Sequence, residues 1–168
     1  MGRAQPGRLT TDQMTDLSDL LIPEAVLSGT PTGSKKKLFA LLGEAAARAH
    51  GLDATLVTER LAAREKLGST GFGGGIAIPH GKVPGLTGVR GLFARLDRPL
   101  DFTAVDGLPV DLVFVLLSPP EAGAEHLKAL ARVSRRLRDR AFTAKLRGAG
   151  SADALYALLT GVEARDAA

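Results

Sequence analysis

The apolar residues of this chain change period several times, and each change predicts an element. Leu17, Leu20, Leu21 and Ile22 run up to Pro23 and predict a short helix or turn packed onto the domain. From Ser34 the spacing Leu38, Leu41, Leu42, Ala45 lays one apolar stripe along a helix, with Ser34 as N-cap and Gly51 just beyond the end. His50 sits at that C-terminus, where a positive charge favours the helix dipole, and reads as structural. A second helix is predicted from about Ala54 to Lys66, burying Leu56, Val57 and Leu61 and ending near Gly68. Ile76-Ala77-Ile78 reads as a very short buried strand. Residues 89–96 alternate in part and read as a strand with Leu92, Ala94 and Leu96 on one face, and residues 101–107 read as a turn region. The run 110–117, interrupted only by Asp111, is nearly continuously apolar, as expected of a central strand covered on both faces. Beyond Ser118-Pro119-Pro120, the positions Leu127, Leu130, Ala131 and Leu137 begin another helical stripe. A last helix starts at Ser151, with Asp153 near the positive end of its dipole, and buries Leu155, Leu158 and Leu159 before Gly161.

These elements predict an α/β fold: a single domain with a short mixed β-sheet flanked by helices on both faces. A chain of 168 residues suits one core. Residues 1–13 are polar and aperiodic and read as a disordered extension, or as lying upstream of a start at Met14; the domain then spans 14–162, and 163–168 form a disordered tail.

Composition removes several chemistries. With no cysteine there is no disulfide, thiol nucleophile or thiolate metal site, which fits a reducing compartment. No apolar run reaches the ~18 residues of a membrane span, and the start lacks the pattern of a secretory signal, so the expected location is the cytoplasm without membrane insertion. The net charge of +4 owes much to Arg132, Arg135, Arg136, Arg138 and Arg140. With one Tyr, no Trp and no aromatics interleaved among them, these arginines read as a solvated helix face, and no nucleic-acid partner is expected.

The candidate chemistry lies in residues 64–82, where glycines at 68, 71, 73, 74 and 75 lead to Pro79 and His80. Glycines permit φ > 0 and let backbone amides approach an anion, although a mobile surface loop would have the same composition. Pro79 holds its predecessor extended and presents His80 at a strand end. An imidazole so placed can serve as general base, metal ligand or phosphoryl acceptor. Arg64 and Lys82 bracket the segment with positive charge and favour phosphate, while Glu65 and Lys66 partly cancel as neighbours and read as exposed. Taken alone, Arg64 reads first as a helix C-terminal dipole partner, and His126, in the first turn of its helix beside Glu125, as a surface residue.

Other motifs fail. Gly75 to Gly81-Lys82 encloses one residue too many for a P-loop, and Val83 stands where a Ser or Thr would bind Mg²⁺. Ile76 occupies the last glycine position of a dinucleotide fingerprint. Three scattered histidines give no zinc spacing, and Ser69 lacks a nucleophile-elbow context. Asp106 and Asp111 show no paired partner. No metal and no cofactor are expected.

The segments Arg64-Glu-Lys-Leu-Gly-Ser-Thr-Gly and Gly75-Ile-Ala-Ile-Pro-His-Gly-Lys82 resemble the active-site signature of enzyme IIA of the phosphoenolpyruvate-dependent phosphotransferase system, in its fructose/mannitol and nitrogen-regulatory branch, and look most like the nitrogen-related members. The resemblance covers residues 17–161. It implies that His80 carries the phosphoryl group through Nε2, that His126 lies beside it, and that Arg64 helps hold it, with Gly81, Ser69 and Thr70 supporting the phosphate loop. One departure is Gly74, where such members commonly carry a side chain such as asparagine. The resemblance further implies a phosphotransferase acting as carrier and switch, with a histidine-containing phosphocarrier protein as donor and a downstream transporter, kinase or IIB domain. A nitrogen/potassium-type regulatory output is expected, because no sugar-channel domain follows Ala168; the alternative is a sugar-specific fructose/mannitol-type IIA component passing phosphate to a IIB domain.

Overall fold

Leu17, Leu20 and Leu21 are buried, and Gly91 N–H donates to the Leu20 carbonyl at 2.7 Å, so the chain is stitched into the domain before its first strand. The computed structural model describes residues 17–31 and 33–161; the extension at 1–13, the start at Met14 and the tail at 163–168 lie outside them. Leu17 to Leu20 form a turn rather than a helix, and Pro23, fixed at helical φ, opens a one-turn 3-10 helix, Pro23–Ala25. Strand β1 (Val26–Thr30) follows and pairs in parallel with a strand far along the chain. The sequence gives no sign of it, since Ser28 and Gly29 break its alternation.

Helix α1 (Lys35–His50) begins where expected, with Ser34 Oγ accepting from Lys37 N–H at 3.1 Å, and ends at Gly51 in the left-handed region, φ +69°. His50 is structural, as predicted: Nε2 donates to the Gly91 carbonyl at 2.9 Å and ties the helix to the sheet. Helix α2 (Ala54–Lys66), capped by Asp53, packs closely on α1. A Cβ at Gly43 would come within 2.5 Å of the Ala54 carbonyl, so only glycine admits this approach.

Three short strands follow: β2 (Gly71–Gly73), β3 (Ile76–Ala77) and β4 (His80–Lys82). The β2–β3 turn places Gly73, Gly74 and Gly75 at φ +109°, +68° and +80°. At +68° asparagine is among the few side chains accepted, and a Cβ at Gly74 would meet nothing within 4 Å, so this turn also suits the asparagine common at that position. Strand β5 (Arg90–Leu100) is antiparallel to β6 (Val110–Ser118). The order is β1-β5-β6-β3-β2, with β4 also pairing β6. Residues 112–117 of β6, which alternate between the two faces, are all fully buried, so both faces are covered. This is the α/β domain with a mixed sheet that the element pattern predicts.

Helix α3 (Gly123–Leu137) corrects the predicted stripe. Leu127 is 65% exposed, and the buried face is His126, Ala129, Val133 and Leu137. Of the predicted set, Leu137 is buried and Leu130 partly so, whereas Leu127 and Ala131 are exposed because the buried stripe is rotated onto Ala129 and Val133. Helix α4 (Arg140–Gly148) was not anticipated. Asp139 caps it by accepting from Phe142 N–H at 3.2 Å, and Phe142 and Leu146 are its apolar anchors. The arginine cluster is thereby divided. Arg132 binds Asp19 at 2.7 Å and Arg136 stacks 3.5 Å from the Phe142 ring centroid, leaving Arg135, Arg138 and Arg140 exposed. Helix α5 (Ala152–Thr160) starts at Ser151 and stops at Gly161, as predicted.

Asp111 is also corrected. Arg147 grips its carboxylate with Nε and Nη2, both at 2.8 Å, and Nη2 donates to the Gly74 carbonyl at 2.7 Å. The glycine turn is pinned there and by Asp106, which accepts from Gly74 N–H at 2.9 Å. No described helix is long and apolar enough to cross a membrane.

Candidate active site

Arg64 occupies the last turn of α2 because the apolar face of that helix, Val57 and Leu61, docks it against the domain and fixes the rotation of everything after it. Its Nη1 donates to the Gly68 carbonyl at 2.9 Å, which is the dipole-partner reading of this residue. Its Nε donates to His80 Nε2 at 3.2 Å, which is not. One guanidinium therefore closes the helix and reaches the imidazole.

His80 does not end a strand, as the sequence suggests, but begins one. Ile78-Pro79 bridges β3 to β4: Ile78 N–H donates to the Thr70 carbonyl at 3.1 Å, and the Pro79 carbonyl accepts from Leu116 N–H at 3.0 Å. From there β4 runs parallel to the end of β6, pairing His80 with Leu116, Gly81 with Leu117 and Lys82 with Ser118. A Cβ on Gly81 would stand 3.3 Å from Arg60 Cβ, so glycine here lets α2 lie against β4.

The ring of His80 is half-buried and its two nitrogens differ. Nδ1 lies 2.9 Å from the Ile78 carbonyl, which can only accept, so Nδ1 carries the proton. Nε2 is then unprotonated and accepts from Arg64, its lone pair being the ring's nucleophilic position. The proton affinity of His80 lies below the ordinary histidine value, first because burial disfavours the cation. The Ile78 hydrogen bond opposes that, the Arg64 charge adds to it, and Glu65 opposes it.

The β6 register that positions His80 also positions its neighbour. After Ser118 the chain turns through Pro119-Pro120 into α3, whose fourth residue is His126, 8% exposed. The two imidazole centroids stand 5.5 Å apart, tilted by 51°. His126 Nδ1 lies 2.6 Å from the buried Ser118 hydroxyl. With Ser118 donating, His126 bears its proton on Nε2 and becomes a donor, the complement of His80. Its proton affinity is also lowered, chiefly by burial and then by the charges of His80 and Lys82.

His80 and Gly81 on β4, Arg64 on α2 and His126 on α3 are thus brought together from three separate elements. Ser69 and Thr70 differ. The Ser69 hydroxyl donates to the Phe102 carbonyl, and Thr70 Oγ1 donates to Glu65 Oε2 at 2.6 Å, so both hydroxyls are spent tying the loop to neighbouring elements. Glu65, expected to be exposed, is a correction. Its side chain is 6% exposed, and the carboxylate also accepts from Lys35 Nζ at 2.8 Å and from Thr70 N–H at 3.2 Å, because the last turn of α2 points it inward under the loop. Nothing in the string Arg-Glu-Lys distinguishes that orientation. Ser118 and the Ile78 carbonyl were also beyond sequence reasoning: one reads as a strand end, and the other is backbone. Among the described residues no group of three or more His, Cys, Asp or Glu is placed to hold a metal ion.

What the arrangement can do is present one unprotonated imidazole nitrogen beside a guanidinium and a second imidazole. Known proteins resemble this chain over most of its length. The family described as phosphoenolpyruvate-dependent sugar phosphotransferase system, EIIA 2, matches residues 20–162. Over 143 residues the chain is 52% identical to the nitrogen regulatory protein of Bradyrhizobium diazoefficiens, a match covering 85% of this chain and 94% of that one. It is 33% identical over 125 residues to the fructose-specific EIIA component of the Haloferax volcanii phosphotransferase system, covering 74% of this chain and 81% of the relative. The crystal structure of the nitrogen regulatory protein IIA-Ntr from Neisseria meningitidis superposes with a TM-score of 0.80 at 39% identity, covering 86% of this chain and 99% of the other.

Proposed function

Because the chain belongs to the EIIA 2 family of the phosphoenolpyruvate-dependent phosphotransferase system, we propose that His80 accepts a phosphoryl group on Nε2 from a histidine-phosphorylated carrier protein, with a nitrogen/potassium-type regulatory output. The observation that carries this reading is the tautomer: Nδ1–H is occupied by the Ile78 carbonyl, and Nε2 is left as an acceptor facing Arg64.

In the transfer, the donor's P–N bond breaks as the Nε2–P bond forms, and the donor imidazole leaves neutral. The His80 ring takes up formal positive charge, which the Ile78 carbonyl stabilises by accepting Nδ1–H. No general base is needed, because Nε2 holds no proton. Catalysis is then a matter of in-line placement and charge stabilisation. Arg64 turns its donors from Nε2 to the phosphoryl oxygens, and His126, protonated on Nε2, donates to one of them. Gly81 admits close approach at the strand, while Ser69 and Thr70 support the site through the loop they hold. The phosphoryl group adds close to two negative charges to this face, enough to change which downstream transporter or kinase binds.

The lowered proton affinity sets a pH dependence. An ordinary histidine is half-protonated, and half-inactive as a nucleophile, at about pH 6.5. His80 loses its proton more readily, so it stays neutral as pH falls through that value and becomes protonated only below it. The expected result is an NMR titration of the His80 ring with its midpoint below 6.5, matched by the acid limb of the acceptance rate. A midpoint at or above 6.5 would contradict the burial argument.

A second reading is favoured by the similarity to a fructose-specific EIIA component: a sugar-specific IIA that passes phosphate to a IIB domain. The two separate when the labelled protein is offered a fructose-type IIB domain. Rapid discharge supports sugar transport, whereas label retained on this chain supports regulation.

A further inference from the structure

A carboxylate that never touches the imidazole is wired to it through the backbone. Glu65 is nearly buried and makes three links: from Lys35 Nζ at 2.8 Å, from Thr70 N–H at 3.2 Å and from Thr70 Oγ1 at 2.6 Å. The Thr70 carbonyl accepts from Ile78 N–H at 3.1 Å, and the carbonyl of that same Ile78 accepts from His80 Nδ1 at 2.9 Å. Lys35 is itself held, donating to the Phe102 carbonyl at 2.9 Å with its ammonium 4.9 Å from the Phe102 ring centroid. The series Lys35, Glu65, Thr70, Ile78, His80 thus runs from α1 to the reacting ring across a glycine-rich loop that its own composition would leave loose.

From this we infer that Glu65 is a positioning residue, whose clamp on Thr70 aims the Ile78 carbonyl and so keeps the His80 proton on Nδ1. A carboxylate taken out of water is expensive to bury unless its oxygens are satisfied, and here each oxygen is. Two of its three links end on a single residue, Thr70. If the only purpose were to join α1 to α2, the Lys35 pair would suffice. A histidine whose partner fails to orient it exchanges tautomers, and tautomer loss is costly wherever one nitrogen must stay unprotonated.

The inference rests on the phosphoacceptor reading for its consequence, but its test does not. Arg64 also favours an unprotonated Nε2, so the tautomer is measured where Arg64 cannot mask the effect: in the full chain carrying Arg64→Ala, ¹⁵N-labelled at histidine. In that background Glu65→Ala is expected to give a mixture of Nδ1–H and Nε2–H forms of His80. Glu65→Gln is expected to retain Nδ1–H, since an amide oxygen can accept from Lys35 and Thr70 N–H while its NH₂ donates to Thr70 Oγ1. In the otherwise native chain, Glu65→Ala should slow phosphoryl acceptance by about tenfold, the lower end of what loss of an imidazole-orienting partner costs, with Glu65→Gln close to wild type. A pure Nδ1–H ring in the Glu65→Ala protein would overturn the inference, as would equal rates for all three proteins. Should Glu65→Ala fail to fold, Thr70→Val breaks the 2.6 Å link from its other end, and the same two readouts decide. Wild type that takes up no phosphate, yet shows a Glu65-dependent tautomer, would refute the function and uphold the positioning role; label on wild type with a Glu65-independent tautomer would do the reverse.

Discussion

Incubated with phosphoenolpyruvate, the first enzyme of the phosphotransferase chain and a histidine-containing phosphocarrier, the wild-type protein is expected to gain acid-labile phosphate, and the His80→Ala variant none. The effect is total because no other residue can substitute. His50 spends Nε2 on the Gly91 carbonyl at the far end of α1, and His126 is nearly buried with Nδ1 on Ser118. The fold should survive, since His80 is half-buried at the edge of a three-residue strand whose backbone pairing with β6 does not involve the ring. Stability and label are therefore separable: an unchanged melting temperature with no label assigns the nucleophile. Label persisting on His80→Ala would refute the assignment. Mass spectrometry under non-acidic conditions would then locate the true acceptor.

The second large effect is at Arg64, where two contributions oppose. In the resting protein its Nε caps the lone pair of His80 Nε2 at 3.2 Å, so removing it frees the nucleophile, a gain of about 1 kcal/mol at most for a hydrogen bond of that length. During transfer the guanidinium meets oxygens that carry the charge, and losing one such preorganised donor costs about 3–4 kcal/mol. The loss outweighs the gain. Arg64→Ala should therefore slow acceptance by roughly a hundredfold with the fold retained, and Arg64→Lys should recover part of it, because charge returns without the planar fork. An Arg64→Ala protein that accepts phosphate at the wild-type rate would take this residue out of the site.

Much of the site was legible because its chemistry is local in sequence. Pro79 before His80 and glycines ahead of both dictate an extended presentation of an imidazole whatever surrounds it, and the positive φ at 73, 74 and 75 is what those glycines are for. Arg64 could be named only through the resemblance, since alone it looked like a helix terminator; in the structure it both bonds the Gly68 carbonyl and reaches His80. His126 could be placed on a helix but not on a face: the large residues Leu127 and Leu130 drew the predicted stripe away from the side that carries Ala129 and Val133. Glu65 looked solvated because its neighbours are charged; its burial depends on Lys35 and Thr70, and Lys35 is remote in the chain. Strand β1 and helix α4 escaped notice for a related reason, since each is too short or too interrupted to show a period and exists because a distant partner completes it.

By itself, then, the order of residues determined the helix caps, the apolar central strand, the positive-φ glycine turn and an imidazole presented behind Pro79, because each depends on dihedral preferences and side-chain chemistry within a few positions. The tertiary structure alone decided which nitrogen of His80 is free, that His126 and Arg64 meet it, and that Glu65 lies beneath the loop. Those outcomes depend on hydrogen bonds and close approaches between elements tens of residues apart, which form only when the sheet register brings the end of β6, the last turn of α2 and the start of α3 to one place.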